Sequence, residues 1–69
     1  MEFTLYQVIA YLNKFENKDR KFKRVNDEKF IIFRGDIGDV MFKLNDIVRP
    51  LPIFNYLVDK WVLEESKEC

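Results

Sequence analysis

Apolar residues recur at helical spacing near the start of the chain, where Leu5, Val8, Ile9 and Leu12 fall on one stripe. Thr4 stands before them as an N-cap, with Gln7 three positions on, the arrangement of a capping box. Phe3 and Val8 occupy the flanking staple positions. The pattern predicts a helix from Leu5 to Phe15. Tyr6, Tyr11 and Phe15 widen its apolar stripe beyond the needs of one thin core, and the excess suits a second subunit.

Beyond a polar connection at Glu16–Arg20 the period shortens to two. Lys21 to Val25 reads as a short strand and Asn26-Asp27-Glu28 as a turn. Lys29 to Arg34 is a strong strand, because Phe30, Ile31, Ile32 and Phe33 all favour β structure. An unbroken apolar run of this kind predicts burial on both faces. Gly35-Asp36-Ile37-Gly38 contains both glycines and reads as a hairpin turn that needs positive φ. From Asp39 to Leu44, Val40, Phe42 and Leu44 alternate with more polar positions, which predicts a half-wet strand. Asn45 to Pro52 contains both prolines and reads as a loop, with Pro52 opening a short helix over Ile53 to Asp59. Trp61-Val62-Leu63 is expected to be the last strand, followed by a frayed acidic tail from Glu64 to Cys69. The expected fold is α+β in one domain spanning 1–69: an N-terminal helix, a two- or three-stranded antiparallel meander, a short second helix and a C-terminal strand.

Composition changes this picture in one respect. The chain has 69 residues, of which 48% are hydrophobic and 16% aromatic. That favours a packed core over disorder. Below about 70–80 residues, however, one core rarely supplies more than roughly 3–5 kcal/mol. Cys69 is the only cysteine and there is no histidine, so neither an intrachain disulfide nor an imidazole zinc site can staple the fold. A homo-oligomer is therefore expected. Glu2 stands where the basic region of a secretory leader would lie, and no apolar run approaches the ~20 residues of a membrane span. These features point to the cytoplasm.

Twelve basic residues balance twelve acidic ones, so no whole-protein field draws in nucleic acid. The charge is unevenly placed. Residues 18–34 contain seven basic side chains against three acidic ones, a local +4, while residues 59–69 contain four acidic against two basic, a local −2.

Catalytic chemistry has little to work with. Serine and threonine occur once each, Thr4 as a cap and Ser66 in the tail. Cys69 lies among acids that would raise its pKa. Asp36 and Asp39 flank a glycine turn but lack the further oxygen ligands of a calcium loop. Gly35-x-x-Gly38 lacks the lysine and the strand–helix context of a phosphate loop. These features point to a protein that is not an enzyme, with neither cofactor nor metal.

The candidate ligand contacts lie in the basic stretch. Lys21, Lys23, Arg24 and Arg34 can hold phosphates, while Phe22, Phe30 or Phe33 can stack a base. The alternative reading makes the lysines the wet side of a strand that discourages edge pairing. A period of two puts Lys21 and Lys23 on one face, with Phe22 and Arg24 on the other. Arg24 therefore needs a carboxylate, a carbonyl or a ligand anion beside it. Tyr6, Tyr11, Phe15, Phe54 and Tyr56 are candidate interface aromatics.

The start, TLYQVIAYLNKFENKDRKFKR, and the end, PIFNYLVDKWVLEE with its Asp59, Trp61 and Glu64, together resemble short phage proteins. Their family includes anti-defence proteins against the Thoeris system. The resemblance implies a homo-oligomeric sponge that counters bacterial immunity by holding a cyclic or ADP-ribose-type nucleotide signal without cleaving it. Its pockets would lie between subunits, with Arg24 on phosphate, Phe22 nearby and Trp61 anchoring the core. It also implies a phage protein acting in the host cytoplasm. Two alternatives stand beside it. One is a small inhibitor that docks on a host defence or replication protein, and the other is a nucleic-acid-binding accessory protein.

Overall fold

Thr4 belongs to a strand and caps a helix at once. In the computed structural model, which describes residues 1–64, Phe3–Thr4 forms a two-residue strand, β1. Helix α1, Leu5–Leu12, follows immediately. The capping box forms in full: the Gln7 amide donates to Thr4 Oγ1 at 3.2 Å, and the Thr4 amide donates to Gln7 Oε1 at 2.8 Å. Leu5, Val8 and Leu12 face the core and are buried. The helix stops three residues short of the predicted Phe15. Asn17 Nδ2 donates to the Tyr11 carbonyl at 3.0 Å, beside the Lys14 amide on the same carbonyl at 3.3 Å, so a last-turn carbonyl is doubly satisfied where the helix ends. Lys14 is extended, and Phe15–Asn17 forms a single 3-10 turn.

Four strands then run in a meander: β2 Lys21–Arg24, β3 Asp27–Arg34, β4 Val40–Leu44 and β5 Ile47–Pro50. The last strand, β6 Lys60–Glu64, returns to lie between β1 and β2. The result is one six-stranded sheet in the order β1-β6-β2-β3-β4-β5, with every neighbouring pair antiparallel.

This corrects the predicted fold, which had too few strands and one helix too many. The Asn45–Pro52 segment is not a loop. Asn45 and Asp46 both take positive φ, at 53° and 68°, giving the two-residue hairpin turn whose twist matches paired strands. The following residues pair with β4, from Leu44↔Ile47 to Met41↔Pro50. Pro50 fits because a proline is tolerated on an edge strand.

The predicted second helix is reduced to one 3-10 turn, Ile53–Asn55. The chain from Leu51 to Asp59 has to connect β5 to β6, which stand four strand spacings apart in the sheet. Along a flat sheet that is roughly 19 Å. A seven-residue helix would advance only about 10 Å; the crossover is instead carried by the 3-10 turn, a bend at Tyr56 and a further turn closed by the Asp59 amide on the Tyr56 carbonyl at 3.2 Å.

Smaller differences follow the turn chemistry. Asn26 takes φ 70° and tightens the β2–β3 turn to Val25–Asn26, so Asp27 and Glu28 join β3 rather than the turn. Glu64 belongs to β6 rather than to the acidic tail. The remainder of the expected tail, with Cys69, lies outside the described residues.

Sheet alternation sorts the side chains. Phe22, Phe30, Ile32 and Trp61 point inward and form the core with Leu5, Val8, Leu12 and Leu51. The rings interlock: Phe30 stacks on Phe42 at 5.0 Å between centroids and meets Trp61 at 5.5 Å, while Phe22 meets Phe3 and Tyr11 edge-on. No helix among the described residues is long and apolar enough to cross a membrane.

Trp61 is fully buried, yet its indole Nε1 has no hydrogen-bond partner. An orphan donor offsets part of what the ring's burial contributes. Trp61→Ala is therefore expected to destabilise the fold by about 3–5 kcal/mol. Trp61→Phe removes the orphan and should cost less than about 1.5 kcal/mol. Urea unfolding of both variants measures the difference, and equal losses would refute this account of the indole.

Candidate functional site

The basic stretch divides by strand face. In β2, Phe22 and Arg24 point inward while Lys21 and Lys23 point outward, and in β3 Arg34 points inward while Ile31 and Phe33 point outward.

Arg24 has its partner within the chain. Its Nη2 donates to Asp59 Oδ1 at 3.1 Å. Its guanidinium lies 5.7 Å from the Phe30 ring centroid and 5.6 Å from that of Tyr56, near enough for attraction to both π faces. The pairing follows from register, since Arg24 stands opposite Trp61 across the β2–β6 pair and Asp59 lies just ahead of β6. Of the partners that the sequence left open, a carboxylate is the one present. Phe22 is fully buried and has no surface to give a ligand. The phosphate contact that the resemblance implied at Arg24 and Phe22 is thus occupied by structural roles.

Arg34 differs. It ends β3 on the inner side, and its Nη1 is buried with no hydrogen-bond partner. No ion pair among the described residues includes it. Its guanidinium lies along the Gly35–Gly38 turn, where a Cβ on Gly38 would stand 3.3 Å from Nη2. The turn is held by the Gly38 amide on the Gly35 carbonyl at 3.0 Å and the Gly35 amide on the Asp39 carbonyl at 2.7 Å. Gly38 takes φ +89°, and a Cβ on Gly35 would collide with the Asp39 carboxylate. Neither position accepts a side chain without strain.

Two clefts flank this turn. One, of about 240 Å³, is lined by Arg34, Lys18, Asp19, Phe15, Gly35 and Asp36. The other, of about 300 Å³, lies on the opposite side and includes Phe33, Met41, Val48, Ile37, Asp36 and Asp39. Lys18 sits 5.4 Å over the Phe15 ring and 3.6 Å from Asp19. The first cleft thus joins two cations, two carboxylates and an exposed aromatic ring. The second offers apolar walls with two carboxylates at the turn.

No family model, curated protein or solved structure matches this chain. The site has to be read from its own geometry.

The other residues singled out from the sequence separate in the same way. Lys23 lies outward on β2, away from Arg34. Tyr11 and Tyr56 are half-buried against the core and belong to its shell. Tyr6, Phe15 and Phe54 are exposed. Sequence reasoning passed over Lys18 and Asp36 as cleft residues, because only the 3-10 turn at Phe15–Asn17 carries Lys18 back toward the β3–β4 hairpin. It also passed over Ile37 and Val58, which are 89% and 88% exposed and more open than any of the candidate interface aromatics.

Two substitutions test this division. Arg24→Lys keeps the charge but loses the guanidinium between the Phe30 and Tyr56 rings, and should lower stability by about 1 kcal/mol. Gly38→Ala should lower it by a similar amount, about 1 kcal/mol, through backbone strain. Chemical denaturation reads both. Unchanged stability in Arg24→Lys would mean that the guanidinium contributes nothing beyond its charge.

Proposed function

We propose that this protein acts by binding and holding a phosphate-bearing, nucleotide-type ligand at the Gly35–Gly38 turn, without turning it over. The observation that carries the reading is the Arg34 guanidinium, which lines a cleft while one of its buried N–H groups stays unpartnered. A phosphate oxygen would satisfy guanidinium donors with charge-assisted hydrogen bonds, and Lys18 would add a second positive charge. Across the turn, Phe33, Met41 and Val48 offer an apolar wall for a base. The Asp36 and Asp39 carboxylates suit the paired hydroxyls of a ribose. Exposed Phe15 and Ile37 border the two clefts.

This keeps the class of ligand implied by the phage anti-defence resemblance, a nucleotide immune signal withheld from the host, and moves its phosphate contact from Arg24 to Arg34. Self-association is part of the same proposal, because exposed Phe15 and Ile37 would be covered by a second copy that closes the clefts over the ligand.

A second reading, a small inhibitor docked on a host protein, is favoured by Phe54 and Val58. They are 86% and 88% exposed on the segment that crosses from β5 to β6.

Calorimetric titration against cyclic dinucleotides, ADP-ribose and cyclic ADP-ribose compounds tests the first reading, followed by heat release and mass analysis of the ligand. The expected result is tight binding of one compound, recovered intact. Arg34→Ala should weaken it at least about tenfold, the least expected from losing a hydrogen bond to a charged group, while Arg24→Lys should leave it unchanged. If no compound in the panel binds, or if Arg34→Ala binds as tightly as the parent, the reading fails. Capture of one stoichiometric host protein, lost in Phe54→Ser, would support the docking alternative.

A further inference from the structure

Among the described residues no helix lies over the outward face of the sheet, and its register sets lysines around apolar residues. Across one row run Val62, Lys23, Ile31, Lys43 and Val48, and across the next Glu64, Lys21, Phe33, Met41 and Pro50. Lys60 and Lys29 extend the first row along β6 and β3. This face therefore carries five lysines against Glu64, Asp46 at the β4–β5 turn and Asp27 at the start of β3, in a chain whose net charge is zero.

Ile31 is the centre of the pattern. Lys23 and Lys43 flank it on the neighbouring strands, and Lys29 precedes it by two positions on its own strand. Neighbouring strands lie about 4.8 Å apart, and same-face positions within one strand about 6.7 Å apart. Three ammonium groups thus rise around one half-buried aliphatic side chain. A cleft of about 260 Å³ opens among Lys29, Ile31, Lys43, Asn45 and Asp46. The nearest counter-charge is Asp46, 3.8 Å from Lys43 and almost wholly exposed, and such a pair is worth little. Lys21 stands directly opposite Glu64 and is partly balanced by it. Among the described residues, Lys23, Lys29 and Lys60 have no ion-pair partner, and Lys43 has only the exposed Asp46.

We propose that this face binds single-stranded nucleic acid, with backbone phosphates on Lys23, Lys29 and Lys43 and bases lying over Ile31 and Phe33. The alternation selects the occupant. The face needs a partner that supplies anions and flat apolar groups side by side at spacings of several ångströms, and each unit of a single strand supplies one phosphate and one base. A duplex keeps its bases stacked inside and would set its backbone against Ile31 and Phe33. A second copy of the same face would oppose lysine to lysine. Phe33 also walls one of the turn clefts, but the lysines lie away from Arg34, so the two sites separate by mutation.

Fluorescence anisotropy with a labelled fifteen-nucleotide poly-dT strand tests the proposal on the full chain. Binding is expected to weaken as salt rises, with a logarithmic slope of about −2 for three phosphate contacts. The variant with both Lys23→Glu and Lys43→Glu should bind at least tenfold more weakly, while Arg34→Ala should bind as the parent does. Thermal unfolding of the double variant confirms that it folds, and if it does not, Lys23→Gln with Lys43→Gln takes its place and should lose binding in the same direction. Competition separates the sources of affinity: unlabelled single strand should displace the probe far better than duplex of equal length, polyglutamate or ATP. Equal displacement by duplex or polyglutamate would reduce the face to a general polyanion surface and overturn the proposal, as would equal displacement by ATP or a salt-independent affinity.

Discussion

The fold depends on burying one tryptophan at the join of three strands. Trp61 lies on β6, opposite Phe3 of β1 on one side and Arg24 of β2 on the other. It packs on Phe30 and Tyr56 from within. Helix α1 is only eight residues long, too short to persist alone in water. It is held by the ring cluster and by its continuity with β1. The meander β2–β5 can form locally, but β6 must cross the molecule before it pairs. The apolar surface that Trp61 removes from water, about 200 Å² for a ring of this kind, is the main return on that long-range closure.

The same cluster explains how the cations are used. Arg24 lies over Phe30 and Tyr56 and reaches Asp59, so its charge is spent on fastening the β5–β6 crossover to the sheet. Arg34 lies at the far end of the inner face, past the last core ring, where no described carboxylate pairs with it. The lysines lie outward, where no core exists to enlist them. A basic run that is continuous in sequence thus divides into a structural arginine, an arginine beside a cleft and a field of surface lysines. Strand alternation performs that division, and it allows a chain of zero net charge to gather lysines on one face.

Much of this was legible in the residues. The capping box at Thr4, the β3 strand, the glycine hairpin and the alternation of Lys21–Arg24 could each be read because their signals lie within a few neighbours. The errors came where signals competed. Two prolines made 45–52 look like a loop, although Asn45-Asp46 carries the residue types of a two-residue hairpin. Pro52 suggested the first turn of a helix over Ile53–Asp59, although the chain there makes one 3-10 turn, a bend and a further turn instead. The pairing of Arg24 with Asp59, 35 residues away, had no local signal at all. It could be anticipated only as a requirement that such an arginine find an anion. The clefts beside Gly35–Gly38 were hidden for the same reason, since Lys18 meets Arg34 only once the 3-10 turn has folded back.

The sheet's two edges limit how this molecule can meet others. β1 is only two residues long and runs directly into α1, so it offers almost no backbone for a partner strand to continue. β5 is the longer edge, and all of its residues are exposed. The Leu51 amide donates to the Val40 carbonyl at 3.1 Å. By alternation, the amides that face away from β4 are those of the even-numbered residues. One of these is Val48, and the next position, Pro50, has no N–H to give. A strand added at this edge would lose a donor in its second pairing and would meet Arg49 beside it, which is how edges resist extension. Association by sheet continuation is therefore weakly supported at both ends. Contacts of this protein with a ligand, a partner or a second copy fall instead to the lysine-lined face, the Gly35–Gly38 turn and the exposed Phe54–Val58 crossover, all of which project side chains rather than free backbone.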